Sequence, residues 1–76
     1  MAAKITKEQW EEMLPPHFKF HKFCNCGGTP KYKYKGNNGV ELHILPNKNV
    51  FRTWLGGGRP GPSGYLETLK TQIENL

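Results

Sequence analysis

Hydrophobic and polar positions predict a short helix at the start of the chain. Thr6 and Gln9 have the T-x-x-Q spacing of a capping box, in which two backbone N–H groups of the first helical turn find side-chain partners. Three apolar residues then share one helical face at i, i+3, i+4 spacing, namely Trp10, Met13 and Leu14. Pro15 and the proline after it end the pattern, so we expect about two turns of helix.

From position 17 the period of the pattern changes to two. Phe18 and Phe20 alternate with polar residues, and Tyr32 and Tyr34 alternate with lysines. Turn-forming residues separate these runs, above all the Gly-Asn-Asn-Gly stretch at 36–39. The predicted strands cover 17–23, 31–35, 40–44 and 50–55. We therefore expect three to four antiparallel strands in a meander.

The last part of the chain is a glycine- and proline-rich segment followed by a second helical pattern. Residues 56–64 show no periodicity and are expected to form a loop. Beyond them an apolar stripe recurs at helical spacing, consisting of Leu66, Leu69, Ile73 and Leu76. The prediction is an α+β fold: N-terminal helix, β-meander, Gly/Pro-rich loop and a C-terminal amphipathic helix that begins at Ser63 or Gly64. At 76 residues the chain is long enough for one small domain, spanning 1–76.

Charge is distributed unevenly along this pattern. The net charge is +5, and between Met13 and Leu66 eight basic residues face one acid, Glu41. A basic middle segment of this kind favours an anionic partner, such as nucleic acid or an acidic protein surface. Lysines at every second position stand on one face of a strand, where they can follow a phosphate backbone. The predicted anion-binding residues are Lys31, Lys33 and Lys35, supported by Lys19, Lys22, Lys48 and Arg52. The alternative is a solvated basic face that protects the sheet from edge pairing.

Cysteines and histidines suggest a second chemistry, which is metal binding. Cys24 and Cys26 enter a turn, and Cys-Asn-Cys-Gly-Gly locally resembles one knuckle of a zinc ribbon. Such a site would take His43 and one more group, or the cysteines of a second chain, as further zinc ligands. His17 and His21 are less suitable, because an extended segment places them roughly 13 Å apart. The simpler interpretation is that both cysteines are structural and that the protein needs no cofactor.

Neither catalysis nor membrane insertion has support in the sequence. Glu41 is the one acidic residue outside the two end segments, so no pair of converging carboxylates is expected. We therefore predict no enzymatic activity and no small-molecule substrate. No apolar run approaches the ~20 residues that cross a bilayer, and the charged start lacks a signal-peptide core. We expect a cytoplasmic location or a place in a virus particle.

Two functions therefore remain open. In the first, the protein is a non-enzymatic accessory component of a larger assembly, such as a virion or another multi-protein particle. In the second, it is a free-standing nucleic-acid-binding protein that uses a lysine- and aromatic-bearing sheet face. A small zinc-binding domain is a third and weaker hypothesis.

Overall fold

The computed structural model describes residues 5–76, apart from the side chain of Cys26. These described residues form two short α-helices and six strands. Helix α1 covers Lys7–Met13, and four longer strands follow: β1 Lys19–Cys26, β2 Thr29–Lys35, β3 Glu41–Leu45 and β4 Val50–Leu55. Two strands of two residues come next, β5 Arg59–Pro60 and β6 Gly64–Tyr65, and helix α2 covers Leu69–Ile73.

Helix α1 begins and ends where the sequence predicts. The Thr6 side chain accepts a hydrogen bond from the backbone N–H of Gln9 at 3.2 Å, and the Gln9 side chain accepts one from the backbone of Thr6 at 2.9 Å. The helix stops before Leu14, whose backbone is extended as a residue preceding proline requires. In the part of the chain that the structure describes, neither helix has the length or apolar character needed to cross a membrane.

The strands form one antiparallel sheet in the order β1-β2-β3-β4-β5, and β6 pairs separately with β4. The predicted α+β meander is thereby confirmed. The segment predicted as a plain loop differs, because β5 and β6 both pair with the far edge of β4. The Leu66 N–H donates to the Asn49 carbonyl at 2.9 Å, so the chain is still bound to the sheet at that point. For this reason α2 begins later than Ser63 or Gly64, after a 3-10 turn at Leu66–Thr68.

Both helices cover the same face of the sheet, which we call the core face. Trp10 of α1 and Leu69 and Ile73 of α2 belong to one buried cluster with the inward side chains of β2, β3 and β4. The inward residues of the strands are Tyr34, Leu42, Ile44 and Phe51. The other sheet face carries the alternate positions of the same strands, since side chains point to opposite faces with a period of two.

A β-bulge in β1 changes which residues point to each face. Phe20 pairs with Tyr34, but the next pair is Lys22 with Lys33, so His21 is an extra residue. The period-two pattern alone places Cys24 on the side of Phe20. That expectation was wrong, because the bulge shifts the alternation by one residue. Cys24 pairs with Lys31 and shares the face opposite the helices.

A hydrogen-bonded chain of side chains attaches α1 to the sheet. The Trp10 indole donates to the Tyr34 hydroxyl at 3.0 Å, and that hydroxyl donates to the Glu11 carboxylate at 2.7 Å. The Lys7 Nζ atom lies 2.9 Å from Oε2 of the same carboxylate. Burial, and then the bond to Glu11, raise the pKa of Tyr34 well above its ordinary value, so the hydroxyl stays protonated. The bonds from Lys7 and Tyr34 lower the pKa of Glu11.

Replacing Tyr34 by Phe tests this attachment. The Y34F substitution removes the hydroxyl and leaves the buried Trp10 indole without its acceptor, which we expect to cost about 1–3 kcal/mol of unfolding free energy. Urea denaturation followed by Trp fluorescence measures the loss. Y32F is the matched control, because the half-buried Tyr32 has no hydrogen bond from its hydroxyl among the described contacts. Equal losses in the two variants would contradict the assignment.

Candidate anion-binding face

The face of the sheet opposite the helices carries most of the predicted anion-binding residues. We call it the basic face and define it by Lys19, Lys22, Lys31, Lys33, Lys35 and Arg52. Each occupies a register position that alternates with a core-face residue of the same strand. Lys48 does not belong to this face, because it lies in the turn between β3 and β4. The structure therefore brings together residues that are up to 33 positions apart in the chain (Lys19 and Arg52).

One row of directly paired residues crosses all four long strands. The cross-strand row runs Lys22, Lys33, His43, Arg52, each paired with the next. With neighbouring strands about 4.8 Å apart, the row is roughly 14 Å long. A second row beside it runs Lys19, Lys35, Glu41, Trp54, and holds the acid of this face.

Like charges are paired directly in both rows. Lys22 faces Lys33, and Lys19 faces Lys35, across the β1–β2 ladder. Like charges in directly opposed positions destabilise a sheet, by roughly 0.2–1 kcal/mol for such pairs. An anion lying across the two strands would relieve this repulsion. A basic edge that serves only to prevent pairing with another sheet would need lysines on β1 alone. Here basic residues also occupy β2, as Lys31, Lys33 and Lys35, and β4, as Arg52.

The aromatic residues are divided between the two faces. Tyr34 and Phe51 are buried in the core and cannot stack on a base, and Tyr32 also lies on the core face. Trp54 lies on the basic face, where its ring is partly exposed and packs against His43 with ring centroids 4.5 Å apart. Of these four aromatic residues, Trp54 is the one that can offer a stacking surface on the basic face.

His43 occupies the centre of the cross-strand row in a dry environment. Its side chain is only 13% exposed, and neither ring nitrogen has a hydrogen-bond partner among the described residues. The nearest acid is Glu41, whose carboxylate oxygen lies 3.6 Å from Nε2, slightly beyond hydrogen-bond length. Desolvation lowers the pKa of His43; Lys33 and Lys31 also lower it, while Glu41 opposes the shift. The imidazole is therefore neutral near pH 7.

The predicted metal ligands are not gathered at one point by the backbone. Cys24 lies on β1 and His43 on β3, two strands and two residues apart, a separation of roughly 12 Å between their Cα atoms at ordinary strand spacings. The side chain of Cys26 lies outside the described part of the structure. No group of three His, Cys, Asp or Glu among the described residues could hold a metal ion. His17 has a different role, since its Nδ1 accepts the backbone N–H of Asn37 at 3.1 Å.

Two features of the sheet were not predicted from the sequence. His43 was considered mainly as a metal ligand, and its burial against Trp54 was not expected. Phe18 and Phe20 were expected to share the buried side of a half-buried strand, but only Phe18 is buried, and Phe20 is 51% exposed. No sequence signal showed that β1 would be the edge strand, because strand order in the sheet depends on tertiary pairing.

Comparison with known proteins adds no relative. The chain matches no protein-family model, no curated protein and no solved structure.

The burial of His43 predicts a pH dependence of stability. Its folded-state pKa lies below its ordinary value of 6.5, so the unfolded chain binds the proton first as the pH falls. The stability associated with His43 is complete above pH 6.5 and decreases as the pH falls towards its folded-state pKa. We expect H43F, which keeps a ring against Trp54, to lose less stability than the wild type between pH 7.5 and 5. Urea titrations at several pH values measure the unfolding free energy of both proteins. The same decrease of this free energy with pH in both would contradict the prediction.

Proposed function

We propose that this chain binds single-stranded nucleic acid on its basic face. The observation that carries the proposal is the cross-strand row of Lys22, Lys33, His43 and Arg52 on an open sheet face. The three cations of this row, Lys22, Lys33 and Arg52, can contact successive phosphates of one extended polyanion, while a single bound phosphate would need only a local cradle. The proposed activity is binding without catalysis.

Trp54 and the flatness of the sheet favour a single strand as the ligand. Proteins that bind single strands combine a positively charged track with aromatic rings on which bases stack, each stack contributing about 1–3 kcal/mol. Trp54 lies on the same strand as Arg52, in the second row, and is partly exposed. A duplex would instead require an element that enters a groove, and both helices of this fold lie on the opposite face.

Substitution of Lys33 by Glu separates binding from folding. K33E places a carboxylate between Lys22 and His43, so it turns an opposed like-charge pair into an ion pair. We expect the free protein to become slightly more stable, by roughly 0.2–1 kcal/mol, while oligonucleotide affinity falls at least about tenfold. Fluorescence anisotropy with a labelled thymidine oligonucleotide at several salt concentrations measures affinity, and the log–log salt slope should shrink by about 0.7 for the lost phosphate contact.

Lys70 provides the matched control. K70E makes the same change in net charge, but Lys70 is an exposed residue of α2, on the helix side of the sheet. Affinity should change much less in K70E than in K33E. Equal effects would mean that the chain attracts polyanions only through its net charge, and salt-independent binding would exclude phosphate recognition altogether.

Membership of a larger assembly is a second proposal, supported by different residues. Phe20 and Phe23 of β1 are about half exposed on the core-face side of the edge strand, although Lys7 Nζ of α1 lies over the Phe20 ring at 5.8 Å from its centroid. Exposed large apolar side chains that lie close together mark contact surfaces for other proteins. A location in the cytoplasm or in a virus particle belongs to the same proposal.

Serine substitutions distinguish an interface from a core. If Phe20 and Phe23 serve a partner, F20S and F23S should each cost the isolated chain about 1–2 kcal/mol, the combined value of their half-buried ring area and their ring contacts with Tyr34 and Tyr32. F51A is the comparison, since Phe51 is completely buried and its truncation should cost about 3–5 kcal/mol. Denaturant unfolding provides the three values. A cost at Phe20 and Phe23 similar to that at Phe51 would contradict an interface role.

A further inference from the structure

We infer that the free edge of β1 binds an extended acidic segment of a partner protein as an additional antiparallel or parallel strand. This inference rests on the second proposed function and specifies the surface and the chemistry of the partner. It concerns the backbone of β1 and the ring of Phe23, and Lys22 is the residue at the edge that it shares with the proposed nucleic-acid contact.

The two edges of the sheet are treated differently by the fold. The far edge of β4 is paired along its length by two short segments, Arg59–Pro60 near its end and Gly64–Tyr65 near its start. Strand β1 pairs with β2 on one side, and no strand among residues 5–76 pairs with its other side. An uncovered edge presents unpaired N–H and C=O groups to another chain. In this fold, β1 is the long strand that does so.

Pro30 identifies the β1 residues whose backbone groups point outwards. Proline has no N–H, so its pair with Asn25 is one of the non-hydrogen-bonded pairs of the β1–β2 ladder. These pairs alternate with hydrogen-bonded ones, which makes Phe23–Tyr32 the next non-hydrogen-bonded pair. The N–H and C=O groups of Asn25 and Phe23 therefore point away from β2. The bulge at His21 interrupts this pattern, so the usable edge extends from Lys22 to the start of the Gly27-Gly28 turn.

Side chains on either side of this edge specify what an added strand should carry. On the basic face, Lys22 lies at the edge with Lys33 and Lys31 behind it, and the chain contains no acid between Glu12 and Glu41. On the core face, Phe23 is exposed beside Tyr32, with ring centroids 4.8 Å apart. Because side chains of a strand alternate, the complementary segment has carboxylates at every second position and apolar residues between them.

A second copy of the chain fits this edge poorly. Pairing two β1 strands would join two basic faces into one sheet, so the lysines of one copy would add to the positive potential at those of the other. The β1–β2 ladder already contains two opposed lysine pairs, and further like-charge contacts would add to their cost. Lysines on an edge strand are a known protection against self-pairing. Charge complementarity thus selects an acidic occupant.

The test uses a fluorescein-labelled synthetic peptide of about seven residues in which Glu and Val alternate. Its binding to the full chain is measured by fluorescence anisotropy, with a Lys/Val peptide of the same length as the charge control. A third peptide carries N-methyl groups on both edges of its backbone and cannot form the ladder in either direction. We expect the Glu/Val peptide to bind and the other two to bind at least about tenfold more weakly. The Lys/Val peptide loses affinity through repulsion from Lys22, and the N-methylated peptide through its missing backbone hydrogen bonds.

Asn25 provides the matched pair of protein variants. N25P removes an outward-pointing N–H from an edge position that tolerates proline, whereas N25A keeps it. We expect N25P to bind the Glu/Val peptide at least about tenfold more weakly, N25A to bind it like the wild type, and both to bind the thymidine oligonucleotide normally. Urea denaturation of N25P beside N25A and the wild type shows whether N25P is folded, and the N-methylated peptide tests the same contact on the unmodified chain.

Several results would overturn the inference. Equal binding of the Glu/Val and Lys/Val peptides would contradict an acidic partner. Equal binding of the Glu/Val peptide by N25P and N25A would contradict the backbone contact. A concentration-dependent dimer in sedimentation analysis that disappears in N25P would make a second copy the occupant. The assembly proposal is tested separately by the stability of F20S and F23S, so it can survive failure of the edge contact if those residues meet a partner in another way.

Discussion

Two short helices are enough to cover one face of this sheet and no more. Trp10 on α1 and the apolar residues of α2 pack on the inward side chains of β2 to β4, and this single layer contains the buried core. The other face must then be compatible with water, which explains why lysines, an arginine and a histidine alternate with the core residues. The same limited coverage leaves β1 at the periphery, where Phe20 and Phe23 are half exposed. The basic face and the free edge of β1 therefore have the same cause, which is that the two helices cover only one face of the sheet.

Stability and charge are in tension in this molecule. The Trp10–Tyr34–Glu11 chain of hydrogen bonds fastens α1 to the sheet from the core side. Lys33 and Lys35 flank Tyr34 in the sequence and point to the other face of the sheet. There each is paired with a lysine of β1. A small domain has only a few kcal/mol of net stability, so opposed like charges are a noticeable cost. These two opposed pairs on β1 and β2, together with Arg52 on β4, are the physical basis for assigning this face to an anionic ligand.

Local sequence signals predicted the elements of this fold well. The capping box at Thr6 and Gln9, the prolines after Leu14 and the Gly-Asn-Asn-Gly turn all act over a few residues, and each lies where it was expected to act. The alternation of lysine with tyrosine in β2 also placed Lys31, Lys33 and Lys35 on one face. Two details were not predictable in this way. The bulge at His21 inserts one residue without changing the local pattern, and β6 delays α2 through pairing with β4, which is distant in sequence.

The sequence by itself determined the first helix and the four long strands, and which side chains of β2, β3 and β4 share a face. These properties depend on backbone propensities and on periods of 3.6 and 2, which operate within a few residues. Tertiary structure alone decided that Lys22, Lys33, His43 and Arg52 form one row, that Cys24 turns to the basic face, and that His43 is desolvated beside Trp54. Strand order and register decide such relations, because they bring together residues that no local pattern connects.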